Sequence, residues 1–210
     1  MKRNVMRKNL WQSIKKTFGR YIAIVAIIAL GSAIFVGLKS TKFDMVATGQ
    51  KYMDELNMFD LRIMCTYGWS DRQVREMGQL EGVEMAEGSI SMDVIVDQGD
   101  NGDEAVYRIH NLPDCVNQVY LCGGRMPQAP DECLADGFHQ SDGVLGTTVT
   151  VSSTNEESIL DGLNYHTFTV VGYVSTPLYM DMNRGTTSAG NGVVSSYLYI
   201  VPCLPHLFVI

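Results

Sequence analysis

The sequence contains one stretch of 18 residues, from Tyr21 to Leu38, with no charged side chain, Asn, Gln or Pro. As an α-helix it would be roughly 27 Å long at about 1.5 Å per residue, close to the ~30 Å hydrocarbon core of a bilayer. A helix of this length in a soluble core normally keeps a polar stripe for water, and this one is apolar on every side. The stretch therefore predicts a membrane-spanning helix, anchored by Tyr21, Ile24, Ile28, Phe35 and Leu38.

The charges on either side of this stretch give the predicted helix a direction. Residues 1–20 hold seven Lys and Arg and no Asp or Glu, whereas the chain beyond Arg20 holds nine against 23, a formal charge of −14. Short cationic segments stay on the cytoplasmic side, because their translocation is disfavoured and anionic inner-leaflet lipid attracts them. We therefore expect residues 1–20 in the cytoplasm, residues 21–38 in the cytoplasmic membrane, an acidic domain outside, and no nucleic-acid partner.

The basic segment has a helical pattern of its own. Met6, Leu10, Ile14 and Phe18 recur at every fourth position, and Trp11 lies beside them. This spacing predicts a short amphipathic helix in the headgroup layer, with Trp11 at the interface. A positively charged flank that happens to be helical explains the same pattern without a docking role.

A cleaved signal peptide is the alternative interpretation of the apolar stretch, with Gly31-Ser32-Ala33 as a small-residue cleavage site. Two features favour a retained anchor. The segment that precedes the apolar stretch is 20 residues, which is long for a signal, and the apolar run continues through residues 34–36 after the candidate cut.

After the anchor, the sequence predicts a helical stalk over residues 39–57, interrupted or loosened at Gly49. Phe59–Cys65 then alternates apolar and polar side chains, which is typical of a half-buried strand. Ser70 and Gln73 form a capping box that predicts a helix, with Gly82 as its expected stop.

Beyond this helix the chain is rich in strand patterns. Strands are predicted over residues 83–86, 89–96, 104–112, 118–121, 132–135, 147–152, 166–175 and 193–201, with a hairpin turn over 97–103. The polar segment 152–161 is expected to be an exposed insertion. Together these elements predict an extracytoplasmic α+β domain over residues 58–210, behind a single N-terminal transmembrane helix and its stalk.

Motifs for catalysis or metal binding do not emerge from the sequence. The acidic turn from Asp97 to Asp103 invites a calcium loop, but the twelfth residue from Asp97 is Arg108 rather than the Glu that an EF-hand needs. The glycine-rich segments lack the Lys-Ser or Lys-Thr pair of a nucleotide loop, and no nucleophile elbow is present. We predict that the chain is not an enzyme and holds no cofactor.

The five cysteines form no C-x-x-C pair and no zinc pattern with the histidines. Cys115 and Cys122 flank one short segment and could form a disulfide outside the membrane. Buried structural thiols explain the cysteines equally simply, and an odd count leaves at least one thiol free. Both interpretations stay open at this point.

Several segments of the chain follow one another in a familiar order. They are Leu10–Thr41, Gly124–Pro127, Glu132–Asp136, Phe168–Tyr179, Arg184–Thr187 and Gly190–Gly192. In this order and spacing they resemble the FtsX-like (MacB-type) ABC transporter permeases. The residues that carry the likeness in the predicted ectodomain are Gly124, Arg125, Pro127, Gly172, Pro177, Arg184, Gly185 and Thr186.

The resemblance implies a permease subunit of an export or mechanotransmission complex. In that family a permease dimer is driven by a separate cytoplasmic ATPase, so ATP is used by the partner subunit. Members carry further membrane helices after the ectodomain, and the sequence up to Ile210 contains none. We therefore expect an N-terminal part of such a permease, with an incomplete ectodomain. A single-pass sensor or ligand-binding ectodomain is the alternative.

Overall fold

A computed structural model of the chain describes residues 2–65, 67–98, 103–139 and 143–201. The chain divides into two compact units, Met1–Lys51 and Tyr52–Ile210. In chain order the elements are α1 (Lys2–Glu55), α2 (Asp71–Met77), β1 (Ser91–Gln98), β2 (Asp103–Asn111), β3 (Tyr120–Gly124), β4 (Glu132–Asp136), β5 (Thr148–Val151), α3 (Glu157–Asp161), β6 (Thr167–Ser175) and β7 (Val194–Ile200). The mixed helix and strand composition agrees with the predicted α+β class.

Helix α1 is long and apolar enough to cross a membrane, judged by length and composition. It contains no Pro, and the hydroxyls of Ser32 and Thr41 bond back to the carbonyls of Ile28 and Gly37, each at 2.9 Å, so their polar atoms are satisfied within the helix. The predicted interruption at Gly49 is wrong, because α1 continues through this residue. One isolated glycine costs about 1 kcal/mol in a helix, which is too little to break so long a run.

The end of α1 is set by a specific cap. Asn57 has a φ of 50°, the amide of Met58 donates to the carbonyl of Met53 at 2.9 Å, and the amide of Asn57 donates to the carbonyl of Asp54 at 3.2 Å. This pair of bonds around a left-handed residue is a Schellman motif, and Asn is the residue after Gly that most readily takes that conformation. The predicted stalk therefore ends at Glu55 rather than at residue 57.

The strands form one mixed sheet in the order β3-β6-β4-β7-β2-β1-β5, and β5 also pairs with β6. That additional pairing closes six strands into a ring, with β3 as a seventh strand outside it. Strand β6 makes this possible because one edge serves two partners: Thr167–Thr169 pairs with β5, and Gly172–Ser175 pairs with β3. The pairs β2/β7 and β4/β6 are parallel and the others antiparallel.

The core follows from the alternation of side chains along these strands. In β6, Phe168, Val170 and Val174 are buried, and every second residue between them is only half-buried. One apolar cluster contains Phe168 and Val170 with residues of β1, β2, β4, β5 and β7, while Leu134, Val174, Tyr197 and Tyr199 form a second.

Two predicted strands are absent from the structure. Residues 59–65 and 83–86 form neither helix nor strand, although the capping box of Ser70 and Gln73 opens α2 as predicted. That helix ends at Gly78 rather than Gly82. A strand requires a neighbour for its backbone groups, and no described strand pairs with either segment.

The segment 152–161 is exposed at most positions, as its polarity predicts, but two of its residues, Ser152 and Asn155, are buried. Asn155 is buried, and its side chain accepts from the amide of Ile95 and donates to the carbonyl of Ile95, both at 2.8 Å. The amide side chain thus takes the place of a neighbouring strand on the edge of β1.

The boundaries of the other predicted strands agree with the structure within three residues. Residues 99–102 of the predicted hairpin tip and residues 202–210 lie outside the described residues.

Candidate functional site

The anchor residues predicted in the apolar stretch all lie on α1. Tyr21, Ile24, Ile28, Phe35 and Leu38 are 56–71 % exposed within the chain. Exposed apolar side chains around a whole helix are stable in lipid and not in water, because transferring them from water is favourable by about 25 cal/mol per Å². This helix is therefore a sign of a membrane anchor or of a signal sequence.

Four of the predicted ectodomain residues meet where β3 lies against β6. Gly124 has a φ of 81°, and a Cβ there would lie 2.4 Å from the carbonyl oxygen of Val171; a Cβ on Gly172 would lie 2.5 Å from that of Arg125. The two backbones approach too closely for any side chain. Arg125 also pairs with Glu132 across the surface, and half-buried Pro127 follows it. These residues fix a junction of strands.

The other four predicted residues lie between β6 and β7, where Arg184 is the central side chain. Arg184 is 3 % exposed and Asp136 1 % exposed, and they form two parallel bonds: Nε to Oδ2 at 2.6 Å and Nη2 to Oδ1 at 2.9 Å. The remaining Nη1 donates to the carbonyl of Asp181. Because Arg184 belongs to the loop between β6 and β7 and its guanidinium binds Asp136 at the end of β4, it ties its own loop to the sheet.

Aromatic rings complete the surroundings of this guanidinium. Its Cζ lies 5.4 Å from the ring centre of Phe138, 5.6 Å from that of Tyr179 and 5.3 Å from that of Tyr197. Tyr179 and Tyr197 stack at 4.6 Å with an angle of 11° between their planes. Cation–π contacts of a desolvated Arg add roughly 2 kcal/mol, so the rings help to offset the burial of the charge. Pro177 is also fully buried nearby in the chain.

A second ion pair, between Arg108 and Asp93, lies beside Thr186, two residues after Arg184. Arg108 donates from Nε to Asp93 at 2.5 Å and from Nη2 at 2.7 Å, and Nη2 also lies 3.4 Å from the carbonyl of Thr186. Gly185, with a φ of 104°, accepts from the amide of Val194 at 3.1 Å. Partial burial raises the pKa of Asp93, but the bonds and charge of Arg108 outweigh it, so this pKa lies below its ordinary value.

His110 is the buried titratable group next to this network. Its Nε2 lies 2.8 Å from the hydroxyl of Tyr179, and its ring stacks on Tyr199 at 5.2 Å. Burial and, after it, the positive charges of Arg108 and Arg62 outweigh the opposing charge of Asp93, and together they lower the pKa of His110 to about 4. The imidazole is therefore neutral at ordinary pH, which suits a structural bond to Tyr179.

Replacing His110 by Phe is expected to remove an acid-sensitive component of stability. In the wild type the unfolded chain binds a proton below about pH 6.5 and the folded one only below about pH 4. The contribution of His110 is therefore complete above pH 6.5 and is lost as the pH falls to 4, by about 3 kcal/mol. Chemical unfolding between pH 7 and 4 measures this slope. The exposed His166→Phe variant should retain it, and an unchanged slope in His110→Phe would refute the assignment.

The structure also brings together residues that the sequence analysis did not single out, at the point where α1 enters the domain. The hydroxyl of Tyr52 lies 2.7 Å from Oγ of Ser175, at the end of β6. The carbonyls of Leu56 and Asn57 accept from the amides of Gln118 and Asn117 at 2.8 and 2.9 Å. These are bonds between the last turn of α1, its cap, and the residues that lead into β3.

Glu87 holds the other side of the same junction. Its carboxylate accepts from the amides of Asp114, Cys115 and Val116 at 2.7, 2.9 and 2.6 Å, and the carbonyl of Cys115 accepts from the side chain of Asn57 at 3.0 Å. Partial burial raises the pKa of Glu87, yet the three amides outweigh it and the pKa lies below its ordinary value. We define Tyr52, Asn57, Glu87, Asn117 and Ser175 as the helix junction.

Changing Glu87 to Gln is expected to destabilise the domain by about 1–3 kcal/mol at pH 7, since bonds from three amides to a charge become bonds to a neutral oxygen. The lowered pKa means that this stability is present above the ordinary carboxyl pKa and is lost as the pH falls through the folded value. The difference between variant and wild type should therefore shrink below about pH 4. Urea unfolding at pH 7 and pH 3.5 checks this, with the exposed Glu81→Gln as the matched control.

Side chains that could bind a metal ion are not gathered in the described part of the chain. No group of three or more His, Cys, Asp or Glu there could hold a metal ion. Cys65, Cys115, Cys122 and Cys133 are free thiols, so the possible disulfide between Cys115 and Cys122 is not formed. Burial raises the pKa of Cys133 to about 12, which makes it an inert core residue.

The predicted site residues thus divide into three places: the apolar helix, the β3/β6 contact and the Arg184 network. Sequence reasoning missed the helix junction because its bonds join residues about 60 positions apart, as in Asn57 and Cys115. The one local signal was Asn57 itself, a residue suited to a left-handed helix cap. Comparisons with family models, with curated proteins and with solved structures find no match for this chain.

Proposed function

We propose that the chain is the N-terminal part of a permease subunit in an ABC-type export or mechanotransmission complex. In this proposal α1 anchors the protein in the cytoplasmic membrane with its N-terminus inside, and the strand-rich domain lies outside. A separate cytoplasmic ATPase supplies the energy, and a second permease subunit completes the complex. The chain itself is not an enzyme and binds no cofactor.

The observation that carries the proposal is the helix junction. Helix α1 continues from Lys2 to Glu55 without a break, and its last turn, with the cap that follows, is bonded to both β6 and the segment before β3. A movement of this last turn would therefore act on the sheet through hydrogen bonds. These bonds support a role in mechanical coupling.

The charge distribution supports the same interpretation. The basic residues 1–20 suit the cytoplasmic side, where an ATPase would bind, and the acidic remainder suits the outside. The residues that carry the resemblance to FtsX-like permeases have structural roles: Gly124 and Gly172 permit a close strand contact, and Arg184 ties a loop to β4. These roles fit a rigid domain that transmits force, with chemistry left to its partners.

The proposal is tested by isolating the tagged full chain from membranes of its own source organism, with Mg²⁺ and ATP trapped by vanadate. We expect an ABC ATPase to copurify, and hydrogen exchange of β3 and β6 to change between the nucleotide-free and trapped states. The junction variant Tyr52→Phe/Asn57→Ala is the matched control, since it removes the side-chain bonds to Ser175 and Cys115 and the residue that favours the left-handed cap. It should still bind the ATPase but lose the exchange difference. Absence of an ATPase, or an exchange difference unaffected by the junction variant, contradicts the proposal.

A ligand-binding ectodomain is the second candidate, and one observation favours it. A surface pocket beside the junction is lined by apolar side chains such as Val116 and Leu178 together with His110, Asn111 and Asn117. Apolar walls with a few polar groups are typical of small-molecule sites. A small molecule from the growth medium that raises the melting temperature of the wild type, but not of Asn111→Leu, would favour this candidate.

A further inference from the structure

The segment Phe59–Cys65 has the side-chain pattern of a strand and no strand to pair with. Phe59, Leu61 and Ile63 alternate with Asp60 and Arg62, so an extended chain would place the three apolar residues on one face. In the structure Leu61 is 75 % exposed and Met64 66 % exposed. Helix α2, which follows, buries none of its residues. An exposed apolar strand pattern of this kind marks a surface that another polypeptide covers.

The backbone of the segment shows which groups are available. The amide of Phe59 is taken by Oδ1 of Asn117 at 3.1 Å, and the carbonyl of Ile63 accepts from Nε1 of Trp69 at 3.3 Å. Within the described part of the chain, the amides from Asp60 to Met64 donate to no backbone carbonyl. A row of such groups is a template for an added strand.

The sequence around Leu61 is complementary to itself when read in the opposite direction. If two copies pair antiparallel with Leu61 opposite Leu61, then Asp60 lies opposite Arg62, and Phe59 lies opposite Ile63. Each position meets a partner of matching chemistry: an acid faces a base, and apolar residues face apolar ones. A parallel pairing in register would instead place Asp60 against Asp60 and Arg62 against Arg62, which is unfavourable.

We propose that Phe59–Met64 is a homodimer interface, in which two copies of this chain form an antiparallel strand pair centred on Leu61. Antiparallel pairing is the arrangement that a two-fold axis requires, so both copies use the same surface. Asp60 and Arg62 exchange their backbone bonds across the pair, because these amides are available while that of Phe59 is taken. Leu61 then lies at the close, non-hydrogen-bonded position, where the two side chains pack. The inference rests on the part of the proposed function that places α1 in the membrane, and not on the ATPase or on transport.

A short two-stranded pair is weak by itself in water, so the membrane is part of the inference. Two copies held in one bilayer by α1 meet at a high effective concentration, which strengthens a contact that would be marginal between free domains. The dimer should therefore form in lipid vesicles or cell membranes at ordinary expression levels. Asp60, which lies at a bend in the single chain, must straighten on pairing.

Cysteine cross-linking of the full chain in membranes tests the register directly. In the proposed pair the two Leu61 Cβ atoms are about 5 Å apart, so Leu61→Cys should form an intermolecular disulfide under a mild oxidant at least tenfold faster than background. The background is a Cys65→Ser, Cys115→Ser, Cys122→Ser, Cys203→Ser chain, which keeps the buried Cys133. Met64→Cys is the matched control, because it is equally exposed but faces Met58 of the other copy. It should cross-link only when mixed with a Met58→Cys chain.

Charge exchange gives a second test that no general loss of folding would imitate. Added to the Leu61→Cys chain, Arg62→Asp places two acids opposite one another and should abolish the cross-link, as should Asp60→Arg. The double variant Asp60→Arg/Arg62→Asp restores both opposite-charge pairs and should restore the cross-link. Equal cross-linking at positions 61 and 64, failure of the double exchange to restore it, or protection of the Asp60–Met64 amides in a chain that stays monomeric would each overturn the proposal.

Discussion

Replacement of Asp136 by Asn is expected to destabilise the domain by about 3–5 kcal/mol. The substitution removes the negative charge from a pair whose members are 1 % and 3 % exposed, so the guanidinium of Arg184 stays buried with nothing to neutralise it. The three aromatic rings around Arg184 recover only part of this cost. Urea or thermal unfolding of the full chain in detergent, monitored by tyrosine fluorescence, measures the loss.

The exposed ion pair between Arg72 and Glu76 is the control for this experiment. Its side chains are 83 % and 58 % exposed, and Nε of Arg72 lies 2.8 Å from Oε1 of Glu76. Water screens such a pair, so Glu76→Gln should change stability little compared with Asp136→Asn. The double variant Asp136→Leu/Arg184→Met should recover much of the loss, because it leaves no unpaired charge. Equal effects of Asp136→Asn and Glu76→Gln would show that burial does not determine the strength of these pairs.

Much of the strand-rich domain could be predicted from the sequence because its strands obey the period-two rule. The strand predicted over residues 166–175 is observed as Thr167–Ser175, and the one over 193–201 as Val194–Ile200. In β6 the buried residues alternate with half-buried ones, whereas β7 is recognised by its apolar and aromatic residues, of which Tyr197, Leu198 and Tyr199 are buried in succession. Local pattern was therefore sufficient where the strand found its partners within the same domain.

Local pattern failed where pairing decides the outcome. Phe59–Cys65 has as clear an alternation as β6, yet it forms no strand, since no described strand binds its backbone. Asn155 shows the opposite failure: within a polar segment that is mostly exposed, this residue is buried because its amide side chain bonds to both backbone groups of Ile95. Periodicity reports what a side chain prefers, while hydrogen-bond partners distant in sequence decide what the backbone does.

The candidate site shows the same division. Arg184 and Gly124 were singled out by resemblance alone, and the structure gives each a physical role, in a buried ion pair and in a close backbone contact. No pattern in the sequence connects Arg184 with Asp136, which lies 48 residues earlier. The bonds from the amides of residues 114–116 to the carboxylate of Glu87 could likewise not be predicted. A backbone amide is present in every residue except Pro, so such a bond does not restrict the residue type.

Changing Ala26 and Ile27 to Arg is expected to prevent stable membrane insertion of α1. Both residues lie near the middle of the apolar stretch, where each charge costs about 2.5–3.5 kcal/mol on an insertion scale, so the pair costs about 6 kcal/mol. Snorkelling cannot relieve this cost at the centre as it does near the helix ends, where Arg20 and Lys39 lie. Extraction of membranes with alkaline carbonate measures insertion: the wild type should stay in the pellet and the variant should be released.

The control for this experiment is Ala26→Leu/Ile27→Leu, which changes the same two residues and keeps them apolar. It should remain in the membrane as the wild type does. The same experiment separates an anchor from a signal sequence, because cleavage near Ser32 would release a shortened wild-type chain that lacks residues 1–33. A full-length, carbonate-resistant wild type together with an extractable double-Arg variant is the result expected of a spanning helix. Normal insertion of the double-Arg variant would contradict a spanning helix. Residues 26 and 27 are exposed on α1, so a spanning helix would place both charges in lipid.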